Sequence, residues 1–382
     1  MWTLADLSAI RATELYDGLS DQPQRDRAVL IEGGRIVDVV NGAEAPEVCD
    51  QVIETPIAAP GFIDLQLNGA GGVLFNDRPE TETLEVIAAG ARKGGTAYFL
   101  PTFITDQDRK YERAMQAVAA STTPGVIGLH LEGPFLSPER PGIHPAHCIR
   151  KLDAEDVALL SSCPVPLLLT LAPEEAAAGQ VAVLARAGVR VFAGHSQAGF
   201  DTIEAAEAAG LRGATHLFNA MSQITPREPG LVGAVLASGA LCAGIIADGF
   251  HVHPANLRLA LERMGPERLF LVTDAMSPLG TDLQEFELLG KRIFRRGGRL
   301  TNADGVLAGA DLSMIEAVVQ MDRMTGCGLG TAIRMASQTP ARAMGLDDQL
   351  GSLSRGKRAG LTLLDRDLSV AGVVVDGVLQ RD

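Results

Sequence analysis

The sequence predicts an α/β fold, in which a (β/α)8 TIM-like barrel carries a small β-sandwich domain built from both chain termini. Two observations predict the barrel: short apolar runs recur eight times along the middle of the chain, and Ala-rich, helix-forming stretches lie between them. A third predicts the β domain, because short strands and turns occur before Pro60 and return after Gly345. We expect residues 1–58 and 346–382 to form the β domain and residues 59–345 the barrel.

The N-terminal part predicts a β-hairpin, because strand-like segments 28–31 and 35–40 flank Gly33-Gly34. The C-terminal part also predicts short strands, in 361–364 and 373–379, with a turn at Asp376-Gly377. Chain ends often lie close together, so one domain can be built from both.

The eight apolar runs are the predicted barrel strands, and most of them end at a polar residue. They are 62–67, 96–103, 126–132, 167–171, 190–195, 213–217, 242–248 and 269–274. Helices are predicted over 81–92, 106–120, 173–187, 201–209 and 254–264. The polar, glycine-containing segment 280–304, which precedes 311–324, predicts a loop or hairpin over the rim of the barrel, where barrel active sites lie.

Composition excludes several classes of partner. The net charge of −14 over 382 residues opposes binding to nucleic acid or to an anionic membrane. The uncharged stretch 231–247 contains three glycines and predicts a helix, a turn and a buried strand rather than a membrane span. Five scattered cysteines without a Cys-x-x-Cys pair, and an N-terminus unlike a signal peptide, predict a cytoplasmic protein with reduced thiols.

Three residues at strand ends predict a metal site. His195 and His216 close the fifth and sixth runs, whose strands would be neighbours about 4.8 Å apart, so both imidazoles could reach one ion. Glu132 closes the third run and is followed by Gly133-Pro134, which would leave its carboxylate at the barrel mouth. Each residue alone could be structural, and it is their combination that indicates a divalent ion.

Asp274 ends the eighth run and is predicted to be the general base. A carboxylate buried there without a partner would be costly, so it should face a cation or act on a metal-bound water. Gln66 and Asn68 stand at the end of the first strand, where many metal-dependent barrel hydrolases have a His-x-His pair. Neutral amides are poor zinc ligands, and the fourth run lacks the bridging lysine of two-metal relatives, so we expect a single ion.

Six motifs in a fixed order resemble the N-acetylglucosamine-6-phosphate deacetylase family of the amidohydrolase superfamily over essentially the whole chain. They are Pro60-Gly61-Phe62-Ile63-Asp64 with Gln66-x-Asn68-Gly69, His130-Leu131-Glu132-Gly133-Pro134, Gly194-His195-Ser196, Thr215-His216-Leu217-Phe218-Asn219-Ala220-Met221, Ala247-Asp248-Gly249-x-His251 and Val272-Thr273-Asp274-Ala275. The resemblance implies hydrolysis of the acetamide of N-acetylglucosamine 6-phosphate. It also implies one divalent ion on Glu132, His195 and His216, with Zn²⁺ as first choice and Fe²⁺, Co²⁺ or Mn²⁺ as alternatives.

The same resemblance implies roles for other residues. Asp274 would be the catalytic acid and base, and His144 would polarise the acetyl carbonyl. Arg227 and His251 would bind the phosphate, with Arg227 reaching across a homodimer interface. Further substrate-binding residues would be Ile143, His144, Asn219, Ala220, Asp248, Leu307, Ala308 and Gly309.

The chain departs from the common family pattern at Thr225-Pro226, before Arg227, and at Arg358-Ala359-Gly360. Two alternative functions stay open from the sequence. One is another amidohydrolase that acts on a different N-acyl or cyclic amide, although such enzymes usually carry the His-x-His pair. The other is a non-catalytic binding protein with the same fold, which a full set of ligands and base argues against.

Overall fold

A computed structural model describes residues 2–3, 7–45, 49, 51–177 and 179–380. Its centre is the predicted TIM-like barrel, in which eight parallel strands follow one another in chain order. We call them the first to eighth barrel strands: Phe62–Leu67, Thr96–Ile104, Leu129–Glu132, Leu167–Leu171, Arg190–Ala193, Gly213–Ala214, Cys242–Ile245 and Leu269–Leu271.

Several barrel strands end earlier than predicted. The fifth, sixth and eighth were expected to run to His195, Leu217 and Asp274, but they end at Ala193, Ala214 and Leu271. The reason is local backbone geometry, because His195, His216 and Asp274 have φ values of 48°, 34° and 52°. A residue with positive φ leaves the extended conformation, so the strand stops just before it. The third strand also starts later than predicted, at Leu129, and the seventh ends earlier, at Ile245.

The barrel helices pack outside the strands. Two match the prediction residue for residue, whereas the predicted helix over 106–120 begins only at residue 111, and 173–187 contains a 3-10 turn and a separate helix. Four helices, over 154–161, 314–325, 329–336 and 338–344, were not predicted. The bounds are Thr81–Arg92, Tyr111–Ala120, Ala154–Ser161, Gln180–Arg186, Phe200–Ala209, Gly230–Ala237, Pro254–Met264, Met314–Thr325, Leu329–Ala336 and Gln338–Met344, with 3-10 turns at Ala146–Cys148 and Pro173–Glu175.

No helix in the described part of the chain is both long and apolar enough to cross a bilayer. The stretch 231–247 forms the predicted helix and buried strand, Gly230–Ala237 and Cys242–Ile245.

The barrel is nearly closed between its first and eighth strands. Leu67 and Ala275 form an isolated parallel bridge, and the backbone N–H of Asp274 donates to the carbonyl of Gln66 at 2.9 Å. The carboxylate of the fully buried Asp64 completes this seam, because it accepts hydrogen bonds from the backbone N–H and the hydroxyl of Thr273. A side chain therefore replaces part of the backbone ladder directly beside Asp274.

Strands from both ends of the described chain form one eight-stranded sheet. The Gly33-Gly34 hairpin and the Asp376-Gly377 turn are both present, and Gln51–Pro60 pairs with Leu361–Leu364. One apolar cluster joins both halves of the sheet, as in a sandwich. Residue boundaries for the two domains stay a prediction. In spatial order the strands are Trp2–Thr3, Val378–Gln380, Val370–Val375, Leu361–Leu364, Gln51–Pro60, Ser8–Leu15, Gln24–Glu32 and Arg35–Asn41.

The predicted loop or hairpin over 280–304 is an antiparallel sheet, and two short strands after the first barrel strand form a further hairpin. The four strands of the sheet are Glu285–Leu288, Lys291–Arg296, Arg299–Thr301 and Leu307–Ala310, and the short pair is Gly69–Ala70 and Val73–Leu74. The last strand of this sheet is hydrogen-bonded to the barrel at the carboxyl ends of its strands, because the N–H of Ala310 donates to the carbonyl of Asp274 at 2.9 Å. The sheet is thereby fixed at the rim.

Candidate active site

A cavity of ≈390 Å³ opens at the carboxyl ends of the barrel strands, which is within the usual size range of small-molecule sites. It brings together residues from most barrel strands and from the rim sheet. Its lining consists of Asn68, Ile104, Glu132, Gly142, Ile143, His144, His195, His216, Asn219, Ala220, Ile246, His251, Asp274, Met276, Gly305, Val306, Leu307 and Gly309.

The predicted metal ligands meet at the base of this cavity. Nε2 of His216 lies 2.9 Å from Oε1 of Glu132, and Nε2 of His195 lies 3.3 Å from the same oxygen. The two Nε2 atoms are 3.1 Å apart. All three side chains are buried, so three donor atoms from three barrel strands converge on one small volume.

The loop after the third barrel strand fixes the imidazole of His195. Nδ1 lies 2.8 Å from the carbonyl oxygen of Arg140, which can only accept, so Nδ1 carries a proton and Nε2 is the nitrogen left to face a metal ion. Gly142 lies against the ring, and a Cβ at this position would be 2.9 Å from Cε1 of His195. This support gives His195 the tautomer that a metal ligand needs.

Electrostatics couples Glu132 to the two imidazoles. Burial opposes ionisation of Glu132, but the hydrogen bonds with His195 and His216 outweigh it and hold the pKa of Glu132 below its usual range. For His216, burial acts against the charged form, yet the bond with Glu132 raises its pKa. Glu132 is thus an anion, and it is the group that attracts positive charge to this place, whether a metal ion or the proton of His216.

Donor spacing tests whether an ion fits. A tetrahedral ion held at about 2.0–2.1 Å by its ligands separates neighbouring ligand atoms by about 3.3 Å. The distances of 2.9, 3.1 and 3.3 Å among Glu132, His195 and His216 match that spacing. Another combination, Glu132, His144 and His195, also has ligand atoms within 4.8 Å of one another and could hold a metal ion. We favour the first set, because its donor atoms are closer together.

Asp274 follows the eighth barrel strand and faces the cavity. Its Oδ1 accepts hydrogen bonds from Nδ2 of Asn68 at 2.7 Å and Nε2 of Gln66 at 3.1 Å. Burial raises the pKa of Asp274 to about 6, and the negative charge of Glu132 acts in the same direction. A carboxylate with a pKa near neutrality can both accept and return a proton, as acid–base catalysis requires.

His144 lies beside the metal site with its ring edge-on to His195, the two ring centres being 4.4 Å apart. Burial lowers the pKa of His144 to about 3, and the neighbouring His195 acts in the same direction, so the ring of His144 is neutral. Nδ1 lies 2.9 Å from the hydroxyl of Thr105, which is closer than the 3.3 Å from that hydroxyl to the carbonyl of Glu132. If the hydroxyl donates to Nδ1, Nε2 carries the proton and can donate into the cavity.

Asp248 orients His251, which also lines the cavity. Oδ2 of Asp248 lies 2.6 Å from Nδ1 of His251, and Oδ1 accepts the backbone N–H groups of Phe250 and His251 at 2.8 Å each. Burial would raise the pKa of Asp248, but these hydrogen bonds outweigh burial and lower it, so Asp248 is an anion. Asp248 does not line the cavity itself, and Nε2 of His251 is the nitrogen left for a ligand.

The remaining predicted substrate-binding residues divide into two groups. Ile143, Asn219, Ala220, Leu307 and Gly309 line the cavity. Ala308 alternates with its neighbours along the rim strand and packs into the apolar cluster behind it. Arg227 is exposed on a surface loop and does not reach the cavity of its own chain.

Several residues near the site were not assigned from the sequence. Ile104, Ile246, Met276 and Val306 supply apolar walls, for which the sequence offers no distinctive signal. His130 lies two residues before Glu132 but belongs to the barrel interior, where its two nitrogens contact Thr102 and Thr170 at 3.1 and 2.8 Å. Burial lowers the pKa of His130 to about 4, so it is a neutral structural residue.

Comparison with known proteins places the same motifs in a family context. Residues 57–379 match the Amidohydrolase family. An N-acetylgalactosamine-6-phosphate deacetylase from Shewanella sp. (strain ANA-3) is 42% identical, over 94% of this chain and 97% of the relative. An N-acetylglucosamine-6-phosphate deacetylase from Haemophilus influenzae is 38% identical, over 92% of this chain and 94% of the relative.

A solved structure gives the same result. The crystal structure of N-acetylglucosamine-6-phosphate deacetylase from Pasteurella multocida superposes with a TM-score of 0.92 at 35% identity, covering 98% of this chain and 100% of that chain. These matches confirm the resemblance that the six sequence motifs indicate.

Proposed function

Since the chain belongs to the Amidohydrolase family, we propose that it is a deacetylase that hydrolyses the acetamide of N-acetylglucosamine 6-phosphate to glucosamine 6-phosphate and acetate. One observation carries the proposal: Glu132, His195 and His216 converge at one end of a cavity that also contains Asp274. The overall reaction adds one water across the amide bond and needs no other reactant.

Glu132, His195 and His216 would hold a single divalent ion, for which we propose Zn²⁺ first and Fe²⁺, Co²⁺ or Mn²⁺ as alternatives. When bound, such an ion supplies water activation and polarisation of the acetyl carbonyl. The converging donor spacing supports a site in this place, and the amide side chains at positions 66 and 68 support one ion rather than two.

Asp274 takes a proton from the attacking water and returns it to the nitrogen of the departing amine. A base with a pKa of about 6 is mostly ionised at neutral pH and is still able to give the proton back. His144 donates from Nε2 to the oxygen of the acetyl carbonyl as negative charge develops there. Bond breaking between carbon and nitrogen then leaves a neutral amino group on the sugar and acetic acid in the site. The acid gives its remaining proton to the amine or to solvent, so the products are acetate and the protonated amine.

His251, whose ring is oriented by Asp248, would bind the phosphate. We propose that Arg227 of a second copy in a homodimer adds a charge-assisted hydrogen bond, because it does not reach the cavity of its own chain. Anchoring the phosphate away from the reacting bond fixes the orientation of the sugar and should raise turnover as well as affinity. Five scattered cysteines without a Cys-x-x-Cys pair support the cytoplasmic location that we propose.

A second candidate substrate is N-acetylgalactosamine 6-phosphate, which differs in configuration at one sugar carbon. It is favoured by the name of the 42% identical relative. Release of acetate from each sugar phosphate, measured side by side on one preparation, distinguishes the two.

The deciding experiment measures acetate release and metal content on the same purified sample. We expect near one ion per chain, turnover of a 6-phosphorylated N-acetylhexosamine, and a loss of roughly 10²- to 10⁴-fold in rate for Asp274→Asn with the metal retained. Near-normal activity of Asp274→Asn would show that the base is misassigned. Bound metal without acetate release from either sugar would instead favour another amide substrate or a binding role.

A further inference from the structure

The side chains of Gln66 and Asn68, which we call the amide pair, connect the proposed base to the metal-binding carboxylate. Nε2 of Gln66 lies 3.3 Å from each oxygen of Glu132 and 3.1 Å from Oδ1 of Asp274. Its two N–H groups can therefore donate to both acids at once. Nδ2 of Asn68 lies 2.7 Å from Oδ1 of Asp274.

Burial makes these contacts specific. Gln66 is 2% exposed and Asn68 is 4% exposed, so both amide groups are largely shielded from bulk water. Two carboxylates in one low-dielectric site repel each other, and the N–H groups of Gln66 lie between them. Because an amide is uncharged, it reduces this repulsion without neutralising either acid.

The two oxygens of Asp274 are thereby made different. Oδ1 accepts from both members of the amide pair, whereas no residue in the described part of the chain donates to Oδ2. A carboxylate oxygen with two donors has little remaining basicity, so the free oxygen is the one that can take a proton. The amide donors also fix the plane of the carboxylate.

Backbone contacts hold the amide pair in place. The carboxylate of Asp64 accepts the N–H of Gln66 at 3.1 Å and the N–H of Thr273 at 3.2 Å, which links the two strand ends that carry the amide pair and Asp274. The N–H of Asn68 donates to the carbonyl of Ala275 at 2.9 Å. Positioning side chains are most effective when their own backbone is fixed in this way.

We propose that Gln66 and Asn68 are positioning residues for the deacetylation, which hold Oδ1 of Asp274 and leave Oδ2 directed at the reacting amide. This inference rests on the proposed function, because it assigns Asp274 as the base. It goes beyond that function by giving the amide pair a direct part in turnover, rather than only the absence of a second ion.

A double-mutant cycle tests the proposal. Asn68→Leu keeps the approximate size of the side chain and removes the donor. In the metal-loaded enzyme we expect kcat to fall by about 10- to 100-fold, as for a small misplacement of a catalytic group. KM should change by less than about threefold, since the proposed role of Asn68 is to hold Asp274 rather than to bind the substrate. When Asn68→Leu is added to Asp274→Asn, we expect a further change of less than about twofold, because the residue acts through Asp274.

A matched control is Asn76→Leu. Asn76 is also a buried asparagine beside the cavity, but its amide bonds only to the backbone of Ile104 at 2.8 and 3.0 Å. A purely structural loss should appear equally with and without Asp274→Asn, as we expect for this control. If Asn68→Leu behaved like the control, with equal losses in both backgrounds, the positioning role would be wrong.

Two further measurements keep the test decisive. Asn68→Asp preserves the side-chain shape, so this variant can replace Asn68→Leu if the leucine variant does not fold. Its added negative charge should raise the pKa of Asp274 and move the acid limb of the pH profile of kcat/KM to higher pH. An unchanged profile would overturn the proposal. A crystal structure of metal-loaded Asn68→Leu should show a rotated Asp274 carboxylate even if neither sugar phosphate is a substrate, so failure of the inference can be told from failure of the proposed function.

Discussion

Replacing Gly142 with alanine should weaken metal binding through contact with one imidazole. The new Cβ would lie 2.9 Å from Cε1 and 3.4 Å from Nδ1 of His195, and ordinary contact begins at 3.4 Å. The ring or the loop must therefore move by 0.5 Å, the difference between 2.9 and 3.4 Å. Such a shift disturbs the hydrogen bond from Nδ1 to the carbonyl of Arg140. Loss of support of this kind typically costs about 10- to 100-fold in metal affinity.

The backbone contributes separately, because Gly142 has φ of 56° and alanine in this region costs about 1–2 kcal/mol of stability. Gly188→Ala is the matched control, since Gly188 has φ of 93° and no atom within 4 Å of the added methyl group. Both variants should lose stability in urea unfolding of the metal-free protein. Only Gly142→Ala should bind the metal more weakly in competition with a chelator. Equal metal affinities in the two variants would refute the argument from steric contact.

Two further predictions concern stability and substrate binding. Asp156 is fully buried and accepts hydrogen bonds from Arg150 and from the hydroxyl of Tyr111, each at 2.7 Å, so Asp156→Asn should lower the free energy of unfolding by about 3–5 kcal/mol in denaturant titrations. Burial would raise the pKa of Asp156, but these hydrogen bonds outweigh burial and lower its pKa in the folded state. The stability that Asp156 contributes is therefore present above the unfolded pKa of about 4 and is lost as the pH falls below that value. Wild-type stability should consequently drop more steeply in acid than the stability of the variant. Arg227→Ala should reduce kcat/KM for the phosphorylated sugar far more than for plain N-acetylglucosamine, and equal losses on both substrates would remove its proposed phosphate contact.

The sequence was sufficient for the barrel because its evidence is repeated. Apolar runs of strand length and Ala-rich stretches alternate many times, so an error in one element does not change the fold class. Strand ends were less predictable, since the positive φ of His195, His216 and Asp274 is imposed by tertiary contacts and leaves no signal in residue type. The helix Ala154–Ser161 was missed because its capping box uses Asp153 and Asp156 rather than the usual glutamate or glutamine.

For the site, residue types at strand ends were enough to choose Glu132, His195, His216 and Asp274. The contacts that orient them were not predictable. The Arg140 carbonyl that sets the tautomer of His195 is a backbone group, which any residue could supply. The amide pair was recognised only as a departure from a histidine pair, because its bonds to Asp274 depend on side-chain directions that spacing does not reveal.

The shared sheet of the two chain ends affects biosynthesis. Thr55 bonds to the carbonyl of Leu364, which is 309 residues later, so strand Gln51–Pro60 leaves the ribosome long before its neighbour exists. At about 5–20 residues per second, this wait is roughly 15–60 s. During that interval an unpaired strand edge is available to other nascent chains or to chaperones. Slow translation or a delayed final segment would therefore lower the yield of native protein without altering any residue of the cavity.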